Sequence, residues 1–256
     1  MGQRFAIDID EVRDRVRQSS PLSPDSTARI LKAHFTSPRV IIPYLGARYS
    51  FAQKKVLEIG SSFGMHLFYW GPGSQGVEAR EDAAAFTTAL GFQTHRMNVE
   101  DELGTLPAGS FEAIHTNALF EHLVAPHLFL ARCYRLLAAD GILAIGHPVV
   151  PPTLTKWAWS ALDLAGWNAV EHVNFFTPMT ARLTLERAGF EVLEQLSPGP
   201  LRVHPFVART TTGISASLYS ICRKRPNYRY EKKRIAAFDP ASCRDDLHVF
   251  RDEGPA

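Results

Sequence analysis

Residues 56–64 read VLEIGSSFG, and a short way further on residues 76–78 read GVE. The first stretch is an apolar run that ends in an acid and a glycine, which is typical of a buried parallel strand turning sharply into a helix. The second stretch ends in another acid, Glu78, 18 residues after Gly60. This order of strand, glycine turn and acid predicts half of a Rossmann-like unit with a nucleotide-type ligand at the turn.

Each residue type in these stretches suits such a ligand. Gly60 and Gly64 can adopt positive φ and lack a Cβ, so the backbone can approach a ligand closely. The N–H groups that follow them attract an anionic group, and Glu78 can accept hydrogen bonds from two ribose hydroxyls. The dinucleotide fingerprint G-x-G-x-x-G does not occur in this loop, where Glu58 precedes the first glycine. A nicotinamide-dependent dehydrogenase is therefore disfavoured.

The two stretches together resemble motif I and the following acidic position of class I S-adenosylmethionine (SAM)-dependent methyltransferases. The resemblance continues in chain order through residues 98–101, 109–115, 118–122, 135–145, 171–178 and 188–192. The last two stretches are similar to one common in small-molecule and glycan-pathway branches of the family. The resemblance implies SAM as the cofactor and methyl transfer as the reaction.

The resemblance also implies a set of cofactor-binding residues. They are Glu58, Gly60, Ser62, Gly64, Glu78, Asn98, Val99, Glu100 and Asn117. Two of them depart from the family pattern. Ser62 stands where the loop usually has a central glycine, and Asn98 replaces the acid that reads the adenine amino group, a contact that Glu100 or Asp101 could take over. These departures favour a rival interpretation, a non-catalytic protein with the SAM-binding fold that serves as a binding or scaffold subunit.

The alternation of strand and helix patterns from Lys55 to Ile145, with the third strand expected over Phe92–Val99, predicts the fold class. We expect an α/β protein with a Rossmann-like, doubly wound, mostly parallel seven-stranded sheet and an antiparallel last strand. Residues 1–54 are predicted to form an N-terminal helical cap, residues 55–222 the SAM-binding domain, and residues 223–256 a basic segment and polar tail. The glycine loop and the segment from His115 to His122 should lie side by side at the carboxyl ends of the strands.

An aromatic insertion is predicted at about residues 149–178. It contains Pro151, Pro152, Trp157, Trp159, Trp167, Phe175 and Phe176. Either the rings form a lid that shapes the acceptor pocket, or they pack onto the core or into a dimer contact. His172 in this insertion is the predicted general base for a hydroxyl acceptor, with His147 as the second candidate. The alternative is that His172 only anchors the segment.

Positive charge is concentrated near the end of the chain. Residues 223–234 contain seven basic side chains and one acid, Glu231, a local charge of +6 in a chain whose net charge is +2. Tyr228 and Tyr230 interleave with these residues, which would allow contacts to phosphates and stacked rings. The segment predicts either an anionic acceptor or a solvated tail. An RNA methyltransferase is a weaker alternative, because no RNA-binding motif accompanies the segment.

Composition excludes several other classes. A chain of 256 residues with 45% apolar residues suits one sizeable α/β domain. No run approaches 18 apolar residues and the first 14 residues contain four acids, so we expect no membrane span, no secretory signal and a cytoplasmic location. The three cysteines are widely spaced, which disfavours a disulfide framework and a zinc site.

No metal site is predicted from the histidines. His115, His122, His127 and Glu121 occur close together in sequence, but His122 and His127 are five residues apart and the segment bridges a strand and a loop. Isolated histidines near strand ends more often form ordinary hydrogen bonds. The complete prediction is a SAM-dependent methyltransferase that acts on a small-molecule, glycan or lipid-precursor acceptor, with oxygen favoured as the acceptor atom and a homodimer left open.

Overall fold

The computed structural model describes five parts of the chain. They are residues 9–35, 41–150, 170–197, 208–209 and 217–228. Trp157, Trp159 and Trp167 of the aromatic insertion lie outside the described residues, as does the basic segment beyond Tyr228. The lid interpretation of those three tryptophans therefore stays a prediction.

Three α-helices precede the sheet in the described residues. They are α1 (Ile9–Ser19), α2 (Pro24–Phe35) and α3 (Ile41–Tyr49). Val12 and Val16 of α1 are both buried, because side chains four residues apart share one face of a helix. They pack in an apolar cluster with Phe68 and Phe86. Leu45 of α3 packs in a second cluster with side chains of the sheet.

One sheet contains all the described strands. They are β1 (Val56–Ile59), β2 (Gln75–Glu78), β3 (Gln93–Arg96), β4 (Phe111–Asn117), β5 (Leu137–Pro148), β6 (Phe190–Ser197), β7 (Ala208–Arg209) and β8 (Ser217–Lys224). Their spatial order is β3-β2-β1-β4-β5-β8-β6-β7. Strands β1 to β5 pair in parallel, whereas β8 lies antiparallel between β5 and β6. The predicted fold is confirmed, and the two-residue β7 extends its edge beyond β6.

The third strand is shorter than the sequence predicts. We expected it to run over residues 92–99, but β3 ends at Arg96. The chain turns at Asn98, whose backbone carbonyl accepts the Glu102 N–H at 2.9 Å. A carbonyl engaged in such a local turn marks the end of the extended backbone that a strand requires.

Three further helices accompany the sheet. They are α4 (Glu81–Ala89), α5 (Pro126–Leu136) and α6 (Pro178–Arg187). Thr177 caps α6 by accepting the Thr180 N–H, and Pro178 occupies the first turn, where its missing N–H costs nothing. Phe129 of α5 and Leu185 of α6 join the apolar cluster of the central strands. Within the described ranges, no helix is long and apolar enough to cross a lipid bilayer.

The strand order locates the ligand site. β1 pairs with β2 on one side and with β4 on the other, so the direction of the winding reverses between β1 and β4. In open α/β sheets, ligands bind beyond the carboxyl ends of the strands at such a switch point. Here these ends are Ile59 of β1 and Asn117 of β4.

Candidate active site

The loop after β1 holds three residues in the left-handed backbone conformation. The φ angle is 71° at Gly60, 48° at Ser62 and 73° at Gly64. Glycine adopts this conformation freely, whereas a residue with a Cβ is strained in it. Ser62 therefore keeps the turn of the loop, in a conformation that a glycine would adopt without strain.

Two sets of contacts hold this loop in place. The N–H groups of Gly60 and Ser61 both donate to the Val77 carbonyl, at 2.9 and 3.0 Å. A Cβ built on Gly64 would lie 2.5 Å from Cγ2 of Thr87 on α4, so the loop and this helix are in direct contact. In this structure, Gly64 allows close packing of the loop on α4.

Glu78 links the end of β2 to the same loop. Its carboxylate accepts the Ser62 N–H at 2.7 Å and the Arg80 N–H at 3.0 Å, and the residue is 9% exposed. A carboxylate has about four acceptor positions, so these two bonds leave capacity for further donors. Vicinal ribose hydroxyls supply two such donors, which is the role predicted for Glu78.

A cavity of about 270 Å³ lies at the carboxyl ends of β1 and β4. It is lined by Glu58, Gly60, Ser61, Ser62, Met65, His66, Asn117 and Ala118. The structure thus brings four predicted cofactor residues together and places the glycine loop beside the turn after β4, as expected. Two larger cavities, of about 510 and 670 Å³, border α1 and contain none of the predicted site residues. The strand ends, and not cavity size, identify the site.

Glu58 forms a buried hydrogen-bond network at this cavity. Its carboxylate accepts a bond from Trp70 Nε1 at 2.8 Å and lies 2.9 Å from Nδ1 of both His66 and His115. Burial acts to raise the pKa of Glu58, but the charges of His115 and His66 outweigh burial and hold that pKa well below its usual range. Both carboxylate oxygens are thus engaged within the chain, and a direct cofactor contact of Glu58 stays a prediction.

The residues predicted to contact adenine lie on the loop after β3. Asn98 is exposed, and its side-chain oxygen accepts the Glu100 N–H at 3.0 Å. Glu100 accepts the Ala125 N–H at 2.8 Å, just before α5. Asn98, Val99 and Glu100 do not line the cavity described above. Their role with adenine is untested, and Glu100 has a structural role in joining two loops.

Further along the chain, the turn after β4 and the segment before α6 bind each other. The Glu121 carbonyl, in the turn after β4, accepts the N–H groups of Val173 and Asn174 at 3.0 and 2.9 Å. Glu121 is 1% exposed, and its carboxylate lies 3.7 Å from Nε2 of His122 and 4.0 Å from Nε2 of His172. Burial raises the pKa of Glu121, while the two histidines act to lower it. We call Glu121, His122 and His172 the Glu121 cluster.

A family model described as a methyltransferase domain matches residues 31–195. The matched region includes the glycine loop, Glu78 and the Glu121 cluster. The chain belongs to the class I SAM-dependent methyltransferases. SAM is the cofactor that this family uses, and the residues at the carboxyl ends of β1 and β2 fit it, because an acid with spare acceptor capacity lies directly against the loop backbone.

Individual relatives support this assignment. The chain is 33% identical to nocamycin O-methyltransferase from Saccharothrix syringae over 121 residues, which are 42% of this chain and 42% of that protein. One solved structure is a complex between a Haloferax volcanii methyltransferase activator and a protein assigned as a methyltransferase. A chain of that complex superposes on this protein with a TM-score of 0.61 at 15% identity, over 84% of this chain and 99% of that chain. A SAM-dependent methyltransferase from Thermotoga maritima gives a TM-score of 0.54 at 18% identity, over 78% and 96%. At these identities, the two structures support the fold alone.

The structure places the two predicted bases of this methyltransferase differently. His172 lies in the Glu121 cluster, with its side chain 9% exposed. His147 is buried behind Phe120 and Phe176, and its Nδ1 is 2.8 Å from the Pro148 carbonyl. Burial lowers the pKa of His147 to about 4, and the residue does not line the cavity. This position does not support a role for His147 as the base, and the role predicted for His172 is untested.

The sequence analysis did not single out His66 or Trp70, and it set His115 and Glu121 aside. His66, Trp70 and His115 surround Glu58, and Glu121 forms the centre of the second cluster. His115 pairs directly with Glu58 in the register of β4 against β1. That register follows from the packing of the sheet and is not readable from local pattern.

The aromatic insertion is described only at its two ends, residues 149–150 and 170–178. Phe176 is buried and stacks on Phe120 with 4.8 Å between ring centroids, which fits the interpretation of core packing. Phe175 is 54% exposed. The two neighbouring rings therefore differ in environment, and only Phe176 is part of the core.

Proposed function

We propose that this protein transfers a methyl group from SAM to an oxygen atom of a small-molecule acceptor. The observation that carries the proposal is the Glu78 carboxylate, held 2.7 Å from the backbone of a glycine-type loop whose turn survives the replacement of glycine by Ser62. The similarity to an O-methyltransferase over 121 residues supports oxygen as the acceptor atom.

The arrangement suits the needs of the reaction. Bound SAM supplies an electrophilic methyl group on a sulfonium sulfur. The acceptor oxygen must lie in line with that methyl group in a site from which water is excluded. In this proposal, the turn after β4 and the segment around His172 lie on the acceptor side of the site. The stacked Phe120 and Phe176 would contribute an apolar wall there.

The described part of the basic segment does not favour an anionic acceptor. Arg223 lies 3.7 Å from Glu191, and Lys224 donates to the Leu137 carbonyl at 2.6 Å while lying over the Tyr134 ring. These two cations therefore bind their own sheet. A role in acceptor binding stays a prediction for the basic residues from Arg229 onward, which lie outside the described residues.

The non-catalytic alternative loses part of its support. It rested on Ser62 and Asn98, and Ser62 keeps the left-handed turn of the loop. The RNA methyltransferase alternative rested on the basic segment alone. Neither alternative is favoured by a contact among the described residues.

Calorimetry with Glu78→Ala tests the cofactor site. We expect the wild-type protein to bind SAM and S-adenosylhomocysteine but not NAD. Glu78→Ala should weaken SAM binding by roughly 1–3 kcal/mol, because a buried acceptor of hydrogen bonds is lost. Glu81→Ala is the matched control. Glu81 is exposed, and among the described residues it forms an ion pair with Arg96.

Two results would count against the proposal. Equal SAM affinity of Glu78→Ala and wild type would remove Glu78 from the cofactor site. SAM binding without transfer of labelled methyl to any member of a panel of hydroxylated small molecules would favour the non-catalytic alternative. A melting temperature matched to wild type shows that Glu78→Ala remains folded.

A further inference from the structure

The Glu121 cluster brings three potential metal ligands together from two separate segments. Glu121 and His122 belong to the turn after β4, and His172 comes from the segment before α6. The candidate ligand atoms all lie within 4.8 Å of one another. Two imidazoles and one carboxylate are a common ligand set for divalent transition metals.

The carboxylate of Glu121 is incompletely satisfied. Among the described residues, its Oε2 atom is buried and has no hydrogen-bond partner. A buried carboxylate oxygen without a partner is costly, and native structures seldom leave one. The other oxygen, Oε1, lies 3.7 Å from Nε2 of His122 and 4.0 Å from Nε2 of His172, so a cation among these three groups would compensate the buried carboxylate.

The hydrogen bonding of His122 points to the same conclusion. Its Nδ1 lies 3.1 Å from the Glu171 carbonyl, which can only accept, so Nδ1 carries the proton. In the neutral ring, Nε2 then turns its lone pair toward the Glu121 carboxylate, 3.7 Å away. Two acceptors then face each other, unless the ring is protonated or a cation lies between them. Histidine ligands of metals usually donate their other N–H to a carbonyl or carboxylate in this way.

The backbone holds the two segments in a fixed relation. Val173 and Asn174 donate their N–H groups to the Glu121 carbonyl, and the Asn174 side chain donates to the Leu123 carbonyl. These bonds lie next to His172 on its C-terminal side and at Glu121 and Leu123, on either side of His122. The ligands are thus carried by a braced pair of loops, as a binding site requires.

A second group of possible ligands is less suitable. Glu58, His66 and His115 also lie within 4.8 Å of one another. However, Trp70 Nε1 donates to Glu58, and both histidines present Nδ1 to its carboxylate at 2.9 Å. Ordinary hydrogen bonds therefore satisfy that carboxylate, and no orphaned oxygen remains for a cation.

We propose that Glu121, His122 and His172 bind a divalent transition-metal ion such as Zn²⁺. Ligand atoms about 2.0–2.2 Å from a tetrahedral zinc lie about 3.4 Å apart, so the three side chains must close inward slightly from their present separations. With three protein ligands, such an ion keeps a coordination position for an exogenous oxygen. In this arrangement His172 is a ligand and not the proton acceptor predicted from the sequence.

A metal ion in the Glu121 cluster would assist methyl transfer to oxygen. It would polarise an acceptor hydroxyl and favour loss of its proton to water, after which the oxygen can take the methyl group while the electron pair of the broken C–S bond stays on sulfur. This role rests on the proposed function, whereas the binding of the ion does not.

Metal titration tests the site directly. Chelator-treated, dialysed protein is titrated with Co²⁺ while visible absorption is recorded, and with Zn²⁺ in a calorimeter. We expect one tightly bound ion per chain. His122→Ala, His172→Ala and the near-isosteric Glu121→Gln should each weaken Zn²⁺ binding at least tenfold. His127→Ala and His66→Ala are the control variants and should bind Zn²⁺ like the wild type.

The outcomes separate this inference from the proposed function. No specific Co²⁺ or Zn²⁺ binding by protein that still binds SAM would overturn the metal site alone. Loss of binding in His66→Ala, with normal binding in His122→Ala, would move the ion to the Glu58 group and equally overturn it. Circular dichroism checks that each variant is folded. If a histidine variant does not fold, the Zn²⁺ affinity of Glu121→Gln decides whether the Glu121 cluster binds the ion. Glu78→Ala should lose SAM affinity yet bind Zn²⁺ normally.

Discussion

Ser62 shows how far one residue of the cofactor loop can depart from glycine. Its φ of 48° lies in the left-handed region, where a residue with a Cβ costs about 1–2 kcal/mol. The same residue donates its N–H to Glu78 at 2.7 Å. The hydrogen bond uses only the backbone, so the side chain is not needed for it.

Two substitutions at this residue should differ in their effect on stability. Ser62→Gly should leave the free energy of unfolding within about 1 kcal/mol of wild type, because relief of strain is offset by the greater freedom of glycine in the unfolded chain. Ser62→Val should lower it by about 1–3 kcal/mol, since a β-branched side chain tolerates positive φ poorly. Urea unfolding measures both. A tenfold loss of SAM affinity in Ser62→Gly at unchanged stability would show that the hydroxyl contacts the cofactor.

At the scale of elements, the contact between the glycine loop and α4 positions the cofactor site. Gly64 has a φ of 73°, and a Cβ there would meet both Cγ2 and Oγ1 of Thr87. Thr87 also donates to the Ser62 carbonyl at 3.2 Å. The loop is thus attached to α4 by packing and by a hydrogen bond.

Gly64→Ala should therefore lower the free energy of unfolding by about 2–5 kcal/mol, the combined effect of backbone strain and overpacking. Gly109→Ala is the matched control, because Gly109 has a φ of 66° but nothing within 4 Å of the added Cβ. Only the strain, about 1–2 kcal/mol, should appear there. Thr87→Ala in the Gly64→Ala background should recover part of the loss in urea unfolding. Equal losses at both glycines would mean that packing on Thr87 is unimportant.

At the scale of the whole molecule, the Glu58 network joins two central strands to the loop region that follows β1. The pKa of Glu58 in the folded state lies below the value of about 4.3 for an unfolded chain. A depressed carboxyl pKa stabilises the fold above the unfolded value, and this stabilisation is lost as the pH falls toward the folded value. The whole fold should therefore lose stability in acid partly through this one residue.

Unfolding in urea at several pH values between 3 and 7 checks this expectation. Between about pH 5 and 3, the free energy of unfolding of the wild type should fall more steeply than that of Glu58→Gln. The slopes of unfolding free energy against pH should differ by up to about 1.4 kcal/mol per pH unit, which corresponds to one proton. Glu81→Gln controls for the change in net charge. Parallel curves for wild type and Glu58→Gln would show that the network does not couple this carboxyl to folding.

The sequence by itself determined the fold class and predicted the place of the cofactor site. Residues 56–64 and Glu78 carry the cofactor prediction, because a buried strand, residues able to turn with positive φ and a terminal acid are properties of a short stretch. The parallel pairing of the central strands was predicted from the alternation of strand and helix patterns, whereas the strand order appeared only in the structure. The end of β3 was placed too late, since the turn at Asn98 depends on hydrogen bonds that a polar residue can make in many conformations.

Only the tertiary structure decided which distant side chains meet. From the sequence, His122 and His127 were the neighbouring histidines, and their spacing argued against a metal site. The fold instead brings His172 to Glu121, and the parallel register of β1 and β4 brings His115 to Glu58. Register and loop docking are set by the packing of whole elements and by long-range backbone hydrogen bonds, which leave no mark on the local pattern of the chain.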